Sequence, residues 1–229
     1  MDGNFCPICN EVVENCQCSD KDLQDYRDLQ EFNFNEQRIA GALALAQQLH
    51  DGQMRKSNPS MSVLKGHLIP VSELVREYGG STEVIMAALL HDSIEDCDQS
   101  VKQEIIETCG ADVLALVEEC TEPGTGAGYT RKAPWRERKE GYLENLGKSS
   151  PEGLLISLAD KTQQAEELSA SVAVKGDTTF DIFKQGKEGT VWFFSELSRV
   201  YHSRELNNTP IVGLLARFDA ALAELLKEK

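Results

Sequence analysis

A short segment in the middle of the chain concentrates residues that could bind a metal ion or transfer a proton. It reads AALLHDSIED over residues 87–96 and carries His91, Asp92, Glu95 and Asp96. In a continuous helix, His91 lies one turn before Glu95 and Asp92 one turn before Asp96, on neighbouring tracks of one face. The preceding residues are apolar on every side, which is typical of a buried helix. A charge cluster directly after a buried helix needs a counter-charge, and imidazole with carboxylate is a metal-ligand set.

Two residues outside this segment would complete a ligand set if the predicted helices pack together. His67 shares the apolar face of its helix, and Asp160 follows the apolar run GLLISLA of another. Each has a structural explanation taken alone, because a core histidine is usually hydrogen-bonded and an aspartate can pair with the adjacent Lys161. Two buried aspartates require a counter-charge, which two histidines and a metal ion supply. The joint pattern therefore predicts one metal site built from His67, His91, Asp92 and Asp160.

Four cysteines in the run CPICNEVVENCQC form a second candidate metal site near the N-terminus. Their spacing is CxxC followed by CxC, at Cys6, Cys9, Cys16 and Cys18. Four thiolates within so short a segment can close a tetrahedral structural Zn²⁺ site that gives the segment its fold. A disordered, cysteine-bearing tail is the alternative. We therefore expect a small zinc-knuckle-like segment at 1–20, suited to docking a protein partner, ahead of an all-α domain with a C-terminal helical extension at 21–229.

The composition limits the classes of partner and the compartment. The 229-residue chain has a formal net charge of −15, which argues against nucleic-acid polymers and anionic membrane surfaces. No apolar run is long enough for a transmembrane helix, and the N-terminus lacks the layout of a secretory signal. Seven cysteines, an odd number, suit a reducing cytoplasm better than a disulfide framework. A small anionic ligand stays compatible, because the segment RKAPWRERK at 131–139 concentrates positive charge.

Helical periodicity extends over most of the chain, with no strand-like alternation longer than four residues. Helix-breaking and capping residues divide this helical pattern into separate helices. Gly52 suits the end of the first helix, Ser81 suits the start of the central helix, and Pro134 suits the start of a later helix. We therefore expect an all-α helical bundle. Besides the central segment, the predicted helices span about 20–51, 61–78, 100–109, 111–120, 135–146, 189–203 and 210–226, with another from 151 to a loop near 176–179.

The order of these residues is similar to the H…HD…D signature of the HD-domain metal-dependent phosphohydrolases. The similarity is closer still to the hydrolase domain of Rel/Spo-type alarmone enzymes and their small single-domain relatives, and it covers roughly residues 35–205. Their motifs read here HDGQMR at 50–55, AALLHDSIED at 87–96, ECT at 119–121 and LADK at 158–161. The segments APWRERKEGYLENL and GKEGTVWFF also resemble small bacterial members of this group.

The resemblance implies a role for each site residue. The four predicted ligands would hold one divalent ion, most often Mn²⁺ in this group. Glu95 and Asp96 match the acidic pair that activates the attacking water and moves its proton. Mutual repulsion would raise the pKa of one of these carboxyls, which suits acid/base work. A single metal ion is favoured because only His202 follows His91 in the chain.

The expected contacts to the substrate come from three parts of the chain. They are Arg55, Lys56, Lys161, Gln164, Arg131 and Arg138. The resemblance places Arg55 near a purine base and Lys161 at the pocket wall. Gln164 stands where the family usually has an asparagine that helps to hold the nucleotide, which leaves base and sugar specificity open. Arg131 and Arg138 belong to the basic segment, which could attract phosphates or form a solvated helix face paired with neighbouring glutamates.

Three functional hypotheses follow from this resemblance. The first is a metal-dependent nucleotide phosphohydrolase that removes the 3′-pyrophosphate of guanosine tetra- or pentaphosphate alarmones. The second keeps the metal site but changes the substrate to a nucleoside mono- or triphosphate or another phosphoester, which the departure at Gln164 favours. The third is a nucleotide-sensing or docking module with weak or no turnover. Intact predicted ligands and the Glu95-Asp96 pair favour the enzyme hypotheses over the third.

Overall fold

The computed structural model describes residues 6–9, 11, 16–98, 100–126, 133–206 and 209–227. The helices are α1 (Asp20–Leu49), α2 (Ile69–Glu77), α3 (Thr82–Leu90), α4 (Ser93–Asp96), α5 (Val101–Cys109), α6 (Ala111–Cys120), α7 (Trp135–Leu146), α8 (Pro151–Lys175), α9 (Gly186–Ser203) and α10 (Thr209–Leu225). Within these ranges the only strand-like pairing is an isolated antiparallel bridge between Met54 and Ser62. The expected all-α fold class is confirmed.

Helix α3 forms the centre of the bundle. Every residue from Val84 to Leu90 is buried, and α1, α2, α6 and α8 pack around it. A helix that is apolar on all sides gains from burial all round its circumference, and its rotation is set by how its side chains interdigitate with those of the surrounding helices. The rotation of α3 therefore fixes where the residues after Leu90 are placed.

Helix α8 is the second long element beside the site, and its start is capped by side chains. Ser150 is the N-cap, and its Oγ accepts a hydrogen bond from the N–H of Gly153 at 3.0 Å. The Glu119 carboxylate of α6 in turn accepts from both the N–H and the Oγ of Ser150, each at 2.8 Å. Pro151 occupies the first turn, where a missing N–H costs nothing. These contacts tie α8 to α6 and set its position along the bundle.

Two local departures from regular helix occur at the predicted site. The segment AALLHDSIED is not one helix, because His91 and Asp92 form a turn between α3 and α4. The continuous helix from which the stacking of His91 over Glu95 is expected is therefore interrupted, and the stacking itself stays a prediction. The helix expected from about residue 61 begins instead as a π-helical turn, Leu64–Leu68, that leads into α2. Wider π-turns often occur at functional sites, because the extra residue redirects a side chain.

The chain between α8 and α9 also differs from expectation. A loop was predicted near 176–179, but a 3₁₀-helix spans Gly176–Ile182. Gly176 ends α8 with φ of +62°, a left-handed conformation that glycine adopts at little cost. Helix α9 then begins three residues earlier than its periodicity indicated. None of the described helices is both long enough and apolar enough to cross a lipid bilayer.

Candidate metal centre and active-site cavity

Three separate elements deliver the predicted metal ligands to one point. His67 lies in the π-helical turn before α2, and Asp160 lies in the buried part of α8. His91 and Asp92 form the turn that follows α3. Because α3 packs against both α2 and α8, the turn after it faces these two elements. The bundle thus brings together residues that are up to 93 positions apart in sequence, as the numbers of His67 and Asp160 give (160 − 67).

The candidate ligand atoms of these four residues converge. His67 Nε2 lies 3.4 Å from Asp92 Oδ2 and 3.3 Å from Asp160 Oδ1. His91 Nε2 lies 3.2 Å from Asp92 Oδ1 and 3.9 Å from Asp160 Oδ1. The ligand atoms of His67, His91 and Asp92 all lie within 4.8 Å of one another. Two imidazoles and two carboxylates around one point form a donor set for a divalent metal ion.

The second nitrogen of each imidazole is already hydrogen-bonded. Nδ1 of His91 donates to the carbonyl oxygen of Ala88, and Nδ1 of His67 donates to Oε1 of Gln163, each at 2.8 Å. Both bonds leave Nε2 facing the carboxylates. Nε2 of His91 is buried and has no hydrogen-bond partner within the described part of the chain. A buried nitrogen without a partner beside two carboxylates fits a metal ion that takes its lone pair.

The charges within the cluster favour ionised carboxylates. Burial opposes this, but Lys161 and the imidazoles hold the pKa of Asp160 well below its usual range, and the imidazoles do the same for Asp92. Burial also opposes an imidazolium, yet Asp160 and Asp92 raise the pKa of His67 to about 10. Without a metal ion, a proton on His67 therefore supplies the positive charge that a divalent cation would bring.

A cavity of about 450 Å³ borders the ligand cluster. The cavity meets the cluster at Asp92, whose side chain is 30% exposed. The Asp160 side chain lies deeper and is only 6% exposed. The cavity is within the usual size range of small-molecule sites. It is lined by Gln53, Met54, Arg55, Lys56, Ser57, Val63, Asp92, Asp96, Gln164, Glu167, Leu168, Ile182 and Phe183. The lining thus contains two cations, three carboxylates and five apolar side chains.

Glu95 and Asp96 have different surroundings. Asp96 is exposed and lines the cavity beside Asp92. Glu95 is half-buried, and its Oε1 accepts the N–H of Glu122 at 2.6 Å. Burial raises the pKa of Glu95 to about 7, although the hydrogen bond from Glu122 acts in the opposite direction. A carboxyl group that titrates near neutrality can both accept and donate a proton under ordinary conditions.

Three of the predicted substrate contacts line the cavity, namely Arg55, Lys56 and Gln164. Arg55 forms an ion pair with Glu167 of α8. The side-chain amide of Gln164 donates a hydrogen bond to Oδ1 of Asp160, so it also holds a candidate metal ligand. These three residues are therefore placed where a substrate beside the metal site would reach them.

The other predicted substrate contacts are engaged elsewhere or not described. Nζ of Lys161 donates to Oδ2 of Asp160 at 2.6 Å and does not line the cavity. Arg138 is also absent from the lining, and its Nη1 donates to Oε2 of Glu122 at 2.5 Å. Arg131 lies outside the described residues. Direct contact of these three cations with a substrate stays a prediction.

Sequence reasoning missed several residues of the site. Gln163 contacts His67, and Glu167 accepts hydrogen bonds from both Arg55 and Ser57. Glu167 lies seven residues after Asp160 in α8, which is two helical turns, so its position on the same face was readable from the sequence. The apolar lining residues Met54, Leu168, Ile182 and Phe183 had no comparable signal.

The four N-terminal cysteines also converge. The Sγ atoms of Cys6 and Cys18 lie 3.8 Å apart and those of Cys9 and Cys16 lie 3.6 Å apart. All four Sγ atoms lie within 4.8 Å of one another. Backbone N–H groups of Cys9 and Ile8 lower the pKa of the Cys6 thiol to about 6, whereas the hydrogen bond with Cys16 raises the pKa of Cys18 to about 12. In the absence of a metal ion, Cys6 is therefore the thiol of this pair that ionises first.

Comparison with curated proteins finds relatives that share about half of the chain. Guanosine-3′,5′-bis(diphosphate) 3′-pyrophosphohydrolase MESH1 of Drosophila melanogaster is 35% identical over 121 residues, which are 52% of this chain and 63% of the relative. The Vibrio cholerae guanosine-3′,5′-bis(diphosphate) 3′-pyrophosphohydrolase is 33% identical over 132 residues, which are 55% of this chain and 17% of the relative. The chain therefore covers less than two thirds of the length of each.

Two solved structures share the fold. One, described as a metazoan ortholog of SpoT that hydrolyzes ppGpp, has a TM-score of 0.65 and 25% identity, covering 82% of this chain and 94% of its own. The protein lmo0812 of Listeria monocytogenes has a TM-score of 0.62 and 24% identity, covering 71% of this chain and 99% of its own. The family model of the HD domain matches residues 42–185, a range that contains all four converging ligands. The chain belongs to the HD-domain family, and its His/Asp site is of the kind that implies a divalent metal ion.

Proposed function

We propose that the protein is a metal-dependent hydrolase of the 3′-pyrophosphate of guanosine tetra- or pentaphosphate alarmones. The observation that carries the proposal is the gathering of His67, His91, Asp92 and Asp160 beside a cavity that also presents cationic side chains. The names of the relatives described above support the choice of substrate, because they act on guanosine 3′,5′-bis(diphosphate). Mn²⁺ is the ion that we propose for the site.

The proposed chemistry is attack of a water molecule on the phosphorus bonded to the ribose 3′ oxygen. A bound divalent ion would lower the pKa of water and polarise a phosphoryl oxygen at this position. A phosphorus–oxygen bond forms to water, the bond to the 3′ oxygen breaks, the 3′ oxygen leaves and takes up a proton, and the attacked phosphorus is released as part of pyrophosphate. Because the cavity meets the cluster at Asp92, the reacting phosphorus would bind on that side.

Glu95 and Asp96 would have different roles, with Asp96 orienting the attacking water and Glu95 transferring its proton. Asp96 lines the cavity, so it is placed to orient the attacking water. Glu95 has a pKa of about 7, so its carboxylate can take the proton from water and pass it on to the leaving 3′ oxygen. The Glu122 N–H bonded to Oε1 fixes the orientation of that carboxyl group. Loss of either carboxylate is expected to slow turnover without abolishing binding of the metal ion.

A different nucleotide is the second candidate substrate. The amide of Gln164 is hydrogen-bonded to Asp160, so its reach into the cavity differs from that of the asparagine usual at this position. This favours a change in the recognised base or sugar with the same reaction at phosphorus. Products distinguish the two candidates, because only the alarmone reaction leaves a guanosine 5′-di- or triphosphate together with pyrophosphate.

Substitution of the metal ligands tests the site assignment. Asp92→Asn and His67→Ala are expected to reduce Mn²⁺-dependent turnover by at least about a thousandfold, because each removes a ligand and Asp92 also borders the cavity. A matched control is Asp219→Asn, because Asp219 lies on α10, pairs with His202 and does not line the cavity. Turnover of either ligand variant at the rate of the control would show that the reaction occurs elsewhere.

We further propose that the cysteine cluster binds one structural Zn²⁺ ion and docks a protein partner in the cytoplasm. A tetrahedral site with Zn–S bonds of about 2.3 Å has sulfur–sulfur distances of about 3.8 Å. The distances of 3.8 and 3.6 Å in this cluster are close to that value. Metal analysis of the full chain should find one tightly bound Zn²⁺ that a Cys9→Ser, Cys16→Ser variant lacks. Equal zinc content in both proteins would refute the site.

A further inference from the structure

We propose that Gln163 is a positioning residue that holds His67 in its metal-binding tautomer, an inference that rests on the proposed metal role of His67. Gln163 lies on α8, three residues after Asp160. Its Oε1 accepts the Nδ1–H of His67 at 2.8 Å. With the proton on Nδ1, the Nε2 lone pair faces Asp92 and Asp160, where the metal ion would bind. The opposite tautomer would direct an N–H at that point.

The orientation of the Gln163 amide decides which tautomer is favoured. A glutamine amide presents an acceptor on one side and a donor on the other. Its Nε2 donates to the carbonyl oxygen of Gly66 at 3.3 Å and lies 3.5 Å from Oε2 of Glu167. Both of these oxygens are acceptors, so the NH₂ group must face them. The amide oxygen is thereby directed to His67, and a flipped amide would lose both contacts.

Glu167 connects this arrangement to the cavity. Its carboxylate accepts hydrogen bonds from Arg55 and Ser57 in the loop before the π-helical turn. These two partners hold Glu167 in place, and Glu167 helps to hold the Gln163 amide. The hydrogen bonds therefore connect Arg55 and Ser57, which line the cavity, to His67 through two side chains of α8, Glu167 and Gln163. The proposed tautomer depends on that packing of the loop against α8.

The two histidine ligands differ in how their tautomers are fixed. His91 donates to the backbone carbonyl of Ala88, which no side-chain substitution removes. His67 depends on a side chain, so its tautomer can be tested by substitution. Gln163→Met removes the acceptor at similar volume, whereas Gln163→Glu keeps an acceptor oxygen at the same reach. Ser169→Ala on the same helix is the control, because that hydroxyl bonds only the carbonyl of Glu166 within α8.

The experiment measures Mn²⁺ affinity of the full chain without substrate, by electron paramagnetic resonance of the free ion. Gln163→Met should bind Mn²⁺ about 10- to 100-fold more weakly, as loss of a partner of a ligating histidine typically does. Ser169→Ala should stay within about threefold of the unaltered chain. Gln163→Glu keeps the acceptor for His67 but loses the donor to Gly66, so it should weaken Mn²⁺ binding clearly less than Gln163→Met does. Affinity of Gln163→Met equal to that of the control, or equal weakening by Met and Glu, would overturn the proposal.

A second measurement applies if Gln163→Met folds poorly. The full chain loaded with Mg²⁺ is diamagnetic, and its four histidines make nitrogen-15 spectra assignable. The Nδ1 of His67 should carry a proton in the unaltered chain and in Gln163→Glu. A protonated Nε2 in the Mg²⁺-loaded unaltered chain would refute the proposal. Because neither measurement uses a nucleotide, failure of the alarmone assay would leave both results interpretable.

Discussion

His67, a proposed metal ligand, makes metal binding depend on pH. Asp160 and Asp92 raise the pKa of His67 to about 10, so in the metal-free protein His67 carries a proton at neutral pH. That interaction stabilises the folded metal-free chain fully below the ordinary histidine value near 6.5, and the contribution is lost as the pH rises through about 10. A metal ion bound at Nε2 must displace this proton.

Proton release on metal binding is therefore expected between pH 7 and pH 9, within the window set by the His67 pKa of about 10. About one proton should leave per Mn²⁺ bound, and the apparent affinity should rise roughly tenfold per pH unit. Titration calorimetry in buffers with different ionisation enthalpies measures the released proton directly. Binding without proton release at pH 8 would contradict the arrangement of His67 between the two carboxylates.

At this scale the sequence predicts ligands better than their partners. The convergence of His67, His91, Asp92 and Asp160 could be predicted because residue type and order carry the signal. The contact between Gln163 and His67 could not, since it depends on how the π-helical turn packs against α8. The same limit applies to Arg138, whose pairing with Glu122 depends on the fold between α6 and α7.

At the scale of elements, the loop after α6 is packed against the short helix that carries Glu95. Gly126 has φ of +96°, and a Cβ atom there would lie 2.6 Å from the carbonyl oxygen of Ile94. Glu95 follows Ile94 directly and is also bonded to Glu122 of the same loop. The orientation of Glu95 therefore depends on the close approach of two backbone segments.

Gly126→Ala is expected to destabilise the fold more than Gly124→Ala and to reduce kcat. Both glycines have positive φ, +96° and +72°, but a Cβ at Gly124 meets nothing within 4 Å. Backbone strain alone costs about 1–2 kcal/mol, and displacement of Ile94 adds about 1–3 kcal/mol. Chemical denaturation and steady-state kinetics of both variants give the comparison. Equal loss of stability and activity would mean that the contact with Ile94 does not position Glu95.

Helix starts were more predictable than helix ends or interruptions within helices. Ser81 and Pro134 are the N-caps of α3 and α7, although Ser81 makes no capping side-chain bond, whereas the C-cap of α1 is His50 and not Gly52. The turn at His91–Asp92 and the π-helical turn at Leu64–Leu68 have no comparable local signal. At both places a side chain hydrogen-bonds to a backbone carbonyl of the helix, namely Nδ1 of His91 to Ala88 and the amide of Gln163 to Gly66.

At the scale of the whole molecule, the folded core extends beyond the residues that match the family. The HD-domain match ends at residue 185, yet α9 and α10 pack against α8. Phe218 of α10 is completely buried, and its ring contacts Phe194 and Tyr201 with centroids 6.2 and 5.4 Å away. Helix α10 therefore helps to pack α8, the helix that carries Asp160, into the core.

Phe218→Ala is expected to lower the free energy of unfolding by about 3–5 kcal/mol, because it leaves a cavity between α8, α9 and α10. Val212→Ala on the same helix is the control, since Val212 is 48% exposed and should cost less than about 0.5 kcal/mol. Urea denaturation monitored by tryptophan fluorescence compares the two variants. Similar stability of both would show that α10 is not part of the core.

The fold class, the domain boundary and the substrate differ in how well the sequence predicts them. The all-α class followed from helical periodicity and is confirmed. The division into a cysteine segment at 1–20 and a helical domain at 21–229 stays a prediction, because spacing alone does not define a boundary. Composition does not identify the substrate either. A formal charge of −15 argues against nucleic-acid polymers and anionic membranes as partners, but it does not distinguish one nucleotide from another.

Oxygen-18 labelling of the products tests the central claim most directly. Guanosine 3′,5′-bis(diphosphate) is incubated with the protein and Mn²⁺ in ¹⁸O-water, and the products are analysed by mass spectrometry. Attack on phosphorus at the proposed site should release pyrophosphate that contains one ¹⁸O atom and leave unlabelled GDP, with no reaction in the Asp92→Asn variant. Release of orthophosphate, label in GDP, or equal turnover by Asp92→Asn would contradict the account.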